Sequence, residues 1–222
     1  MVTALLPMKA NSERVKGKNF KVLGDKPLYR WILDSLLCSS VIDRIVINTD
    51  AIDLLLDDQF PVDSRIELRH RAAELCGDLV SMNRVIEDDV KYCGKGVFLM
   101  THTTNPFIST ETIEKGIDLY QMNLKTYDSA FSVTERRARF YDEKACAINH
   151  DPNNLVRTQD LPPYFEENSC LYVFSGSSFA STGARIGAHP IMFSTPPLES
   201  IDIDEPEDWD VAEALAANRT NT

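Results

Sequence analysis

Leu5-Leu6-Pro7-Met8-Lys9-Ala10-Asn11-Ser12-Glu13-Arg14-Val15-Lys16-Gly17-Lys18-Asn19 carries an apolar run straight into a polar loop with four cations, Lys9, Arg14, Lys16 and Lys18. Backbone N–H groups and the small Ser12 hydroxyl suit phosphate oxygens, and the cations offset their charge. The stretch contains no Gly-x4-Gly-Lys-Ser/Thr and is not a Walker loop. Its plainer reading is a solvated basic loop. Position favours phosphate, because open α/β sheets bind ligands at the carboxyl ends of their strands and this loop follows the first strand of an alternating chain.

Working outward, Thr3–Met8 reads as a buried strand and Pro27–Ser39 as a helix with Leu28, Trp31, Ile32, Ser35 and Leu36 on one face. Arg44–Asn48 is a β-branched run, followed by Thr49-Asp50 and a helix over Ala51–Gln59. Ile66–Leu68 is a short strand, and Ser81–Tyr92 a helix with Val85 and Asp89 on different faces. Gly96–Met100 is the next strand, and Thr110–Tyr120 a helix. Strands separated by helices of this length predict βαβ units, hence an open, mainly parallel sheet flanked by helices. Right-handed crossovers gather loop 9–19, Thr49-Asp50 and Thr101–Asn105 on one edge. After Ser129–Val133 the chain turns charged and then rich in Asn, Asp and Pro, an excursion from the sheet over about residues 135–170. Leu171–Phe174 returns as a strand, Ile201–Ile203 is the last strand, and Pro206–Ala217 closes as a helix.

The length of 222 residues fits one domain with a full core. Asp and Glu number 34 against 23 Lys and Arg, a net charge of −11, which disfavours nucleic acid or an anionic membrane as partner. The cationic loop is a local exception suited to a small anionic ligand. Five scattered cysteines without a Cys-x-x-Cys pair argue for a reducing compartment and against a zinc site or disulfide framework. No segment approaches the roughly 20 apolar residues of a membrane span. The expectation is a soluble, cytoplasmic protein.

Ile201-Asp202-Ile203-Asp204-Glu205-Pro206-Glu207-Asp208-Trp209 alternates apolar and acidic residues before a proline-initiated helix. On a strand Asp202 and Asp204 share a face, where they repel unless a cation lies between them. Paired hard oxygens suit Mg²⁺, which takes one or two carboxylates and completes its shell with water and substrate phosphates. An acidic helix N-terminus is the competing reading, and it accounts for Glu205, Glu207 and Asp208. An acidic pair with a cationic phosphate loop is the minimum kit for phosphoryl or nucleotidyl transfer.

From Pro7 to about Trp209 the chain resembles the acylneuraminate cytidylyltransferases (CMP-sialic acid synthetases) and their CMP-Kdo synthetase relatives. The resemblance rests on ordered motifs: Pro7-x-Lys9-x-x-Ser12 with Lys18-Asn19 and Leu23-Gly24-x-Lys26-Pro27-Leu28; Ile47-Asn48-Thr49-Asp50; Arg71 with Asp78 and Ser81; Thr104-Asn105-Pro106; Arg157-x-Gln159-Asp160-Leu161-Pro162; Asn168-x-x-x-Tyr172-x-Phe174; and Ile201-Asp202-Ile203-Asp204. It implies a Rossmann-like nucleotidyltransferase that joins CTP to a 2-keto-3-deoxy sugar acid, giving the CMP-sugar and pyrophosphate. Loop 9–19, with Lys9, Asn11, Ser12, Arg14, Lys18 and Asn19, would hold the triphosphate, and Arg71 and Ser81 would face cytosine. Asp202 and Asp204 match the Mg²⁺ carboxylates. Arg157, Gln159 and Tyr172 fall in the region facing the sugar acid. The resemblance also favours a homodimer whose excursion, flanked by Phe140, Tyr141, Tyr164 and Phe165, reaches toward the partner's site.

The chain departs from the family at two places. Ala10-Asn11-Ser12-Glu13-Arg14 replaces a Gly-Gly-Ser-Lys-Gly loop, so Arg14 would do work a lysine does elsewhere. Met100-Thr101-His102-Thr103-Thr104-Asn105-Pro106 lacks the family's glutamine, with His102 as its substitute and a candidate general base. Arg139 and Arg157 are candidates to pair with the sugar carboxylate, while Arg136 and Arg137 read as solvent-facing. Two other functions fit parts of the pattern. A nucleotide-sugar-dependent glycosyltransferase also uses an Asp-x-Asp metal site, and an inactive nucleotide-binding protein would keep the loop without turnover.

Overall fold

Val2–Leu5 (β1) is an interior strand, buried on both faces and paired in parallel with a neighbour on each side. The computed structural model describes residues 1–56 and 60–219. After β1 comes loop 9–19, then a small hairpin of Val22–Leu23 (β2) and Lys26–Pro27 (β3), which leads into helix α1, Leu28–Cys38. Arg44–Thr49 (β4), the short helix Ile52–Leu55 (α2), Ile66–His70 (β5), Met82–Cys93 (α3), Val97–Thr101 (β6) and Thr110–Met122 (α4) complete the alternating half. Ser129–Arg136 (β7), Tyr164–Ser175 (β8), Gly176–Thr182 (α5), Pro190–Ser194 (β9) and Pro206–Arg219 (α6) follow.

The main sheet has seven strands in the order β5-β4-β1-β6-β8-β7-β9. Strands β5, β4, β1 and β6 are mutually parallel, β8 runs antiparallel to both β6 and β7, and β9 pairs in parallel with β7. The mainly parallel α/β architecture read from the sequence is therefore present. The chain leaves β1 in one direction to β4 and β5, then returns to its other side as β6. That reversal opens a crevice at the carboxyl ends of the strands.

Alternation along the central strands sends side chains to two helical layers. Ala4, Ile45, Ile47, Leu99 and Val173 pack with Ile32 and Leu36 of α1 and Ile113 and Ile117 of α4. Leu5, Val46, Phe98, Met100, Tyr172 and Phe174 pack on the opposite face with Ile86 and Val90 of α3 and Phe179 of α5. A third cluster joins Trp209, Ala212 and Ala216 of α6 to Val15, Leu23, Leu28, Phe107 and Ile203. Through it α6 ties the cationic loop to the acidic segment. Gly116 of α4 is required by close approach, since a Cβ there would lie 2.8 Å from the Phe193 ring of β9.

Several expectations need correction. Ile201–Ile203 is extended but joins no ladder; its alternation comes from Ile203 entering the third cluster while Asp202 and Asp204 stay half-buried. The far edge strand is instead β9, which the sequence reading did not identify. Val85 and Asp89 lie on one face of α3, both buried, as i,i+4 spacing demands. Helix α2 spans only Ile52–Leu55, and residues 57–59 of the expected helix lie outside the described residues. Strands β7 and β8 are longer than read and form a hairpin, so of the excursion expected over about residues 135–170 only 137–163 lies at its tip, while 135–136 and 164–170 belong to its strands. The register of β7 and β8 slips between Phe131 and Val133, where the Ser132 hydroxyl donates to the Asn168 side-chain oxygen and accepts from the Leu171 N–H in place of a regular ladder. Ser169 in this bulge has the left-handed φ of 59°.

Candidate active site

The crevice is a cleft of about 500 Å³, within the usual range for a small-molecule site. Its lining includes Lys9, Ser12, Arg14, Lys18 and Asn19 from the first loop, Arg71 after β5, His102 and Thr104 after β6, Ser169 of β8, Arg185, and Asp202 with Asp204. The structure thus brings together most of the residues the sequence singled out, from segments nearly two hundred positions apart.

The loop is held at several points. Gly17, at φ 60°, allows the turn into Lys18–Phe20. Asn19 donates to the Lys9 carbonyl at 2.7 Å and accepts from Thr103 at 2.6 Å, fixing the loop against the end of β6. The Ala10 N–H donates to Asp50 at 2.7 Å, and Lys9 pairs with Asp78. Lys18 is buried; its ammonium donates to the Ile203 carbonyl and lies 3.3 Å from Asp204. Arg14 is half-exposed and bridges Asp204 at 3.1 Å and Glu205 at 2.7 Å. Both cations meet Asp204 directly, and Asp202 lines the same cleft within reach of the Lys18 charge.

Asp202 and Asp204 differ in environment. Burial pushes the Asp202 carboxyl up from the usual range, with the Asp204 charge adding to the effect and Thr104 and Lys18 opposing it. Its buried Oδ1 has no hydrogen-bond partner among the described residues. The helix-terminus reading explains a different residue. Asp208 accepts from the backbone N–H groups of Asp204 and Glu205 at 2.9 and 2.7 Å, a reach-back that caps α6 and lowers its own pKa. The capping role is filled without Asp202, whose unpartnered oxygen and charged neighbour fit a hard cation.

Arg71 is buried behind the first loop, donating to the Asn48 side chain at 3.0 Å and to the carbonyls of Met8 and Asn48 at 3.0 and 2.8 Å. Burial lowers its guanidinium pKa, with nearby Asp50 opposing. Asn48 in turn donates to buried Asp89, which also takes Arg69, at 2.6 Å in each case. Asp89 of α3 therefore backs the Arg71 wall through Asn48.

His102 reaches Arg185, with 3.2 Å between its Nε2 and the guanidinium Nη1. Burial and then the Arg185 charge push its pKa down to about 3. A neutral imidazole whose Nε2 accepts from arginine is a poor general base near neutral pH. The Tyr172 side chain is fully buried behind the cleft wall, its hydroxyl donating to Glu167 and its ring covered by Arg185 at 3.9 Å.

Five expected residues do not line the cleft: Tyr172, buried behind its wall, and four that are exposed. Asn11 is exposed on the loop, and Ser81 is exposed just before α3, where the neighbouring Met82 lines the wall instead. Arg157 and Gln159 lie exposed on the excursion, with Arg157 paired to Asp160 at 2.7 Å. Arg139 on the same excursion donates to the Val156 carbonyl. Arg136 and Arg137, read as solvent-facing, are both exposed and paired with Glu166 and Glu135. The sequence reading missed Arg185 and Ser169. Arg185 sits in no motif and Ser169 only at an unspecified position of Asn168-x-x-x-Tyr172; the positive φ of Ser169 and the packing of Arg185 on Tyr172 arise only from the fold.

The model of the cytidylyltransferase family matches residues 3–220. The CMP-N,N'-diacetyllegionaminic acid synthase of Legionella pneumophila is 29% identical over 96% of this chain and 95% of its own length. The N-acylneuraminate cytidylyltransferase of Escherichia coli is 22% identical over 95% of this chain and 51% of its own length. Among solved structures, CMP:2-keto-3-deoxy-manno-octonic acid synthetase complexed with CTP superposes with a TM-score of 0.69 over 98% of this chain and 99% of its own, at 12% identity. A 4-diphosphocytidyl-2C-methyl-D-erythritol synthase from Anaerococcus prevotii gives 0.70 over 97% and 96%, at 14% identity.

Proposed function

The chain belongs to the cytidylyltransferase family, and on that premise we propose that it activates a 2-keto-3-deoxy sugar acid of the nonulosonic, sialic-acid-like class with CTP. The products are the CMP-sugar and pyrophosphate. One observation carries the reading: at the carboxyl edge of the parallel strands, Lys18 and Arg14 stand against Asp202 and Asp204 in a single cleft. The relatives named for legionaminic, acylneuraminic and pseudaminic acids support the substrate class.

In this reaction the sugar's anomeric hydroxyl attacks the α-phosphorus and pyrophosphate leaves. The protein needs to place the two reactants in line and offset charge on the triphosphate, with no covalent intermediate. Lys18, Arg14 and Lys9 offset that charge, and the Ser12 hydroxyl and loop N–H groups hold its oxygens. Arg71 faces the base. Asp202 and Asp204 would hold Mg²⁺, for which the unpartnered buried Oδ1 of Asp202 leaves a hard ligand available. Mg²⁺ bound there would neutralise phosphate charge and lower the pKa of the attacking hydroxyl. Neutral His102 orients groups by hydrogen bonding.

The excursion supports a homodimer. It carries Tyr141, Ile148, Leu155, Tyr164 and Phe165 exposed, an apolar set that a partner would cover, and would bring Arg157 and Gln159 to the partner's cleft. Five free thiols fit a cytoplasmic location, and no helix among the described residues is long and apolar enough to cross a membrane. A pyrophosphate-release screen of CTP against N-acetylneuraminic, N,N'-diacetyllegionaminic, pseudaminic and Kdo acids tests the proposal. Release with at least one acid is expected; CTP binding without release from any of them would overturn it.

A further inference from the structure

Arg185 stands apart from the cationic loop. Along the sheet edge the cleft runs from Arg71 after β5, past the first loop after β1 and His102 after β6, to Ser169 of β8 and Arg185. The acidic segment is tethered between these ends, where the Ile203 N–H donates to the Thr104 carbonyl after β6 at 2.9 Å. A nucleotide with its base at Arg71 and its phosphates on the first loop leaves the β8 end for the acceptor. The guanidinium at that end is built in. It lies 3.9 Å over the Tyr172 ring, places Nη1 3.2 Å from the His102 Nε2, and places Nη2 3.4 Å from Glu167. Its side chain is only 21% exposed.

We propose that Arg185 binds the carboxylate of the acceptor sugar, and so selects acid sugars over neutral ones; this rests on the proposed reaction. Each partner leaves the cation able to do so. His102 is a neutral acceptor and Tyr172 offers only its π face, so neither cancels the charge. Glu167 pairs with Nη2 at 3.4 Å, but it is half-exposed and shares the same oxygen with the Tyr172 hydroxyl, which makes it a weak competitor. An arginine has five N–H donors in a planar fork, and those turned to the cleft match a carboxylate bidentately. Stacking on Tyr172 fixes the fork before the ligand arrives, which reduces the entropy lost on binding. Ser169, whose hydroxyl is 3.5 Å from that of Tyr172, lines the same end and adds a second donor.

The test compares wild type, Arg185→Met and Arg185→Lys, using whichever acid of the four-member panel is turned over fastest and its C1 carboxamide. Loss of a charged hydrogen bond predicts a KM for the acid about 10- to 100-fold higher in Arg185→Met and intermediate in Arg185→Lys. CTP affinity by calorimetry stays within about twofold, as expected if the β5 and β1 ends are intact. Wild type discriminates strongly against the carboxamide, and Arg185→Met hardly does. An unchanged KM for the acid overturns the assignment while leaving the proposed reaction standing. An equal rise for acid and carboxamide overturns it in favour of a purely structural role, and Arg185→Lys decides this if the methionine variant fails to fold. Absence of turnover by wild type with every acid removes the reaction and this inference with it.

Discussion

Replacing Lys18 by Met keeps most of the side-chain volume and removes one buried charge. The ammonium bonds the Ile203 carbonyl and faces Asp204, and the side chain is 8% exposed, against 54% for Arg14. That difference sets the magnitudes. A hydrogen bond to a charged group in a desolvated site is worth about 1.5–3 kcal/mol, so kcat/KM for CTP should fall roughly 10- to 150-fold in Lys18→Met. Arg14 is screened by water, where an ion pair is worth about 0.2–1 kcal/mol, and Arg14→Met should lose less than about fivefold. Lys18→Met also leaves the Ile203 carbonyl without its ammonium, costing about 1–3 kcal/mol of stability, or roughly 2–12 °C in Tm for a chain of this size. Continuous pyrophosphate detection gives the kinetics and differential scanning calorimetry the melting. Wild-type kinetics in Lys18→Met, or equal losses in the two variants, would refute the reasoning from burial.

Asp202→Asn should abolish turnover while leaving Tm unchanged or raised. Its native pKa lies above the unfolded value, so its stabilising contribution exists below that value and is lost as pH rises, and at neutral pH the charge is a burden. Asp208→Ala should do the reverse, lowering Tm by about 1–8 °C through loss of the α6 cap while retaining most activity, as read by melting and turnover together. His102 has its native pKa at about 3, below the ordinary 6.5, so stability should be full above pH 6.5 and fall as pH drops toward 3. His102→Gln should flatten that part of the pH–stability curve measured by urea titration, and an unaltered slope would place the titration elsewhere. CTP should be preferred over ATP and GTP in competition assays, since the buried Arg71 wall is rigid; equal turnover of all three would count against a base-reading role.

Much of this site was legible because chemistry and periodicity coincide in it. The cationic loop follows an unbroken apolar strand, and the acidic pair alternates with isoleucines, so residue type and spacing pointed the same way. The same alternation misled over Ile201–Ile203, because a segment whose isoleucines pack into a core looks like a strand whether or not a ladder forms. Strand β9 escaped for the opposite reason: Pro190–Ser194 opens with proline, pairs on one side only and is half exposed, leaving little pattern to read. Arg185 and Ser169 reach the cleft through a β-bulge and a turn after α5, which no local spacing announces. Arg157 and Gln159 came from a motif rather than from local physics, and within one chain they lie away from the cleft.

The central claim is nucleotidyl transfer from CTP to an acid sugar at a divalent-metal site between Asp202 and Asp204. It is tested most directly by incubating wild type and Asp202→Asn with CTP, the acid panel and Mg²⁺, then following pyrophosphate and CMP-sugar together by phosphorus NMR. The predicted result is equal amounts of the two products from wild type with at least one acid, loss of both on chelation with recovery on added Mg²⁺, and neither from Asp202→Asn. Product formation by Asp202→Asn at the wild-type rate, or intact CTP in wild type with every acid, would contradict the account.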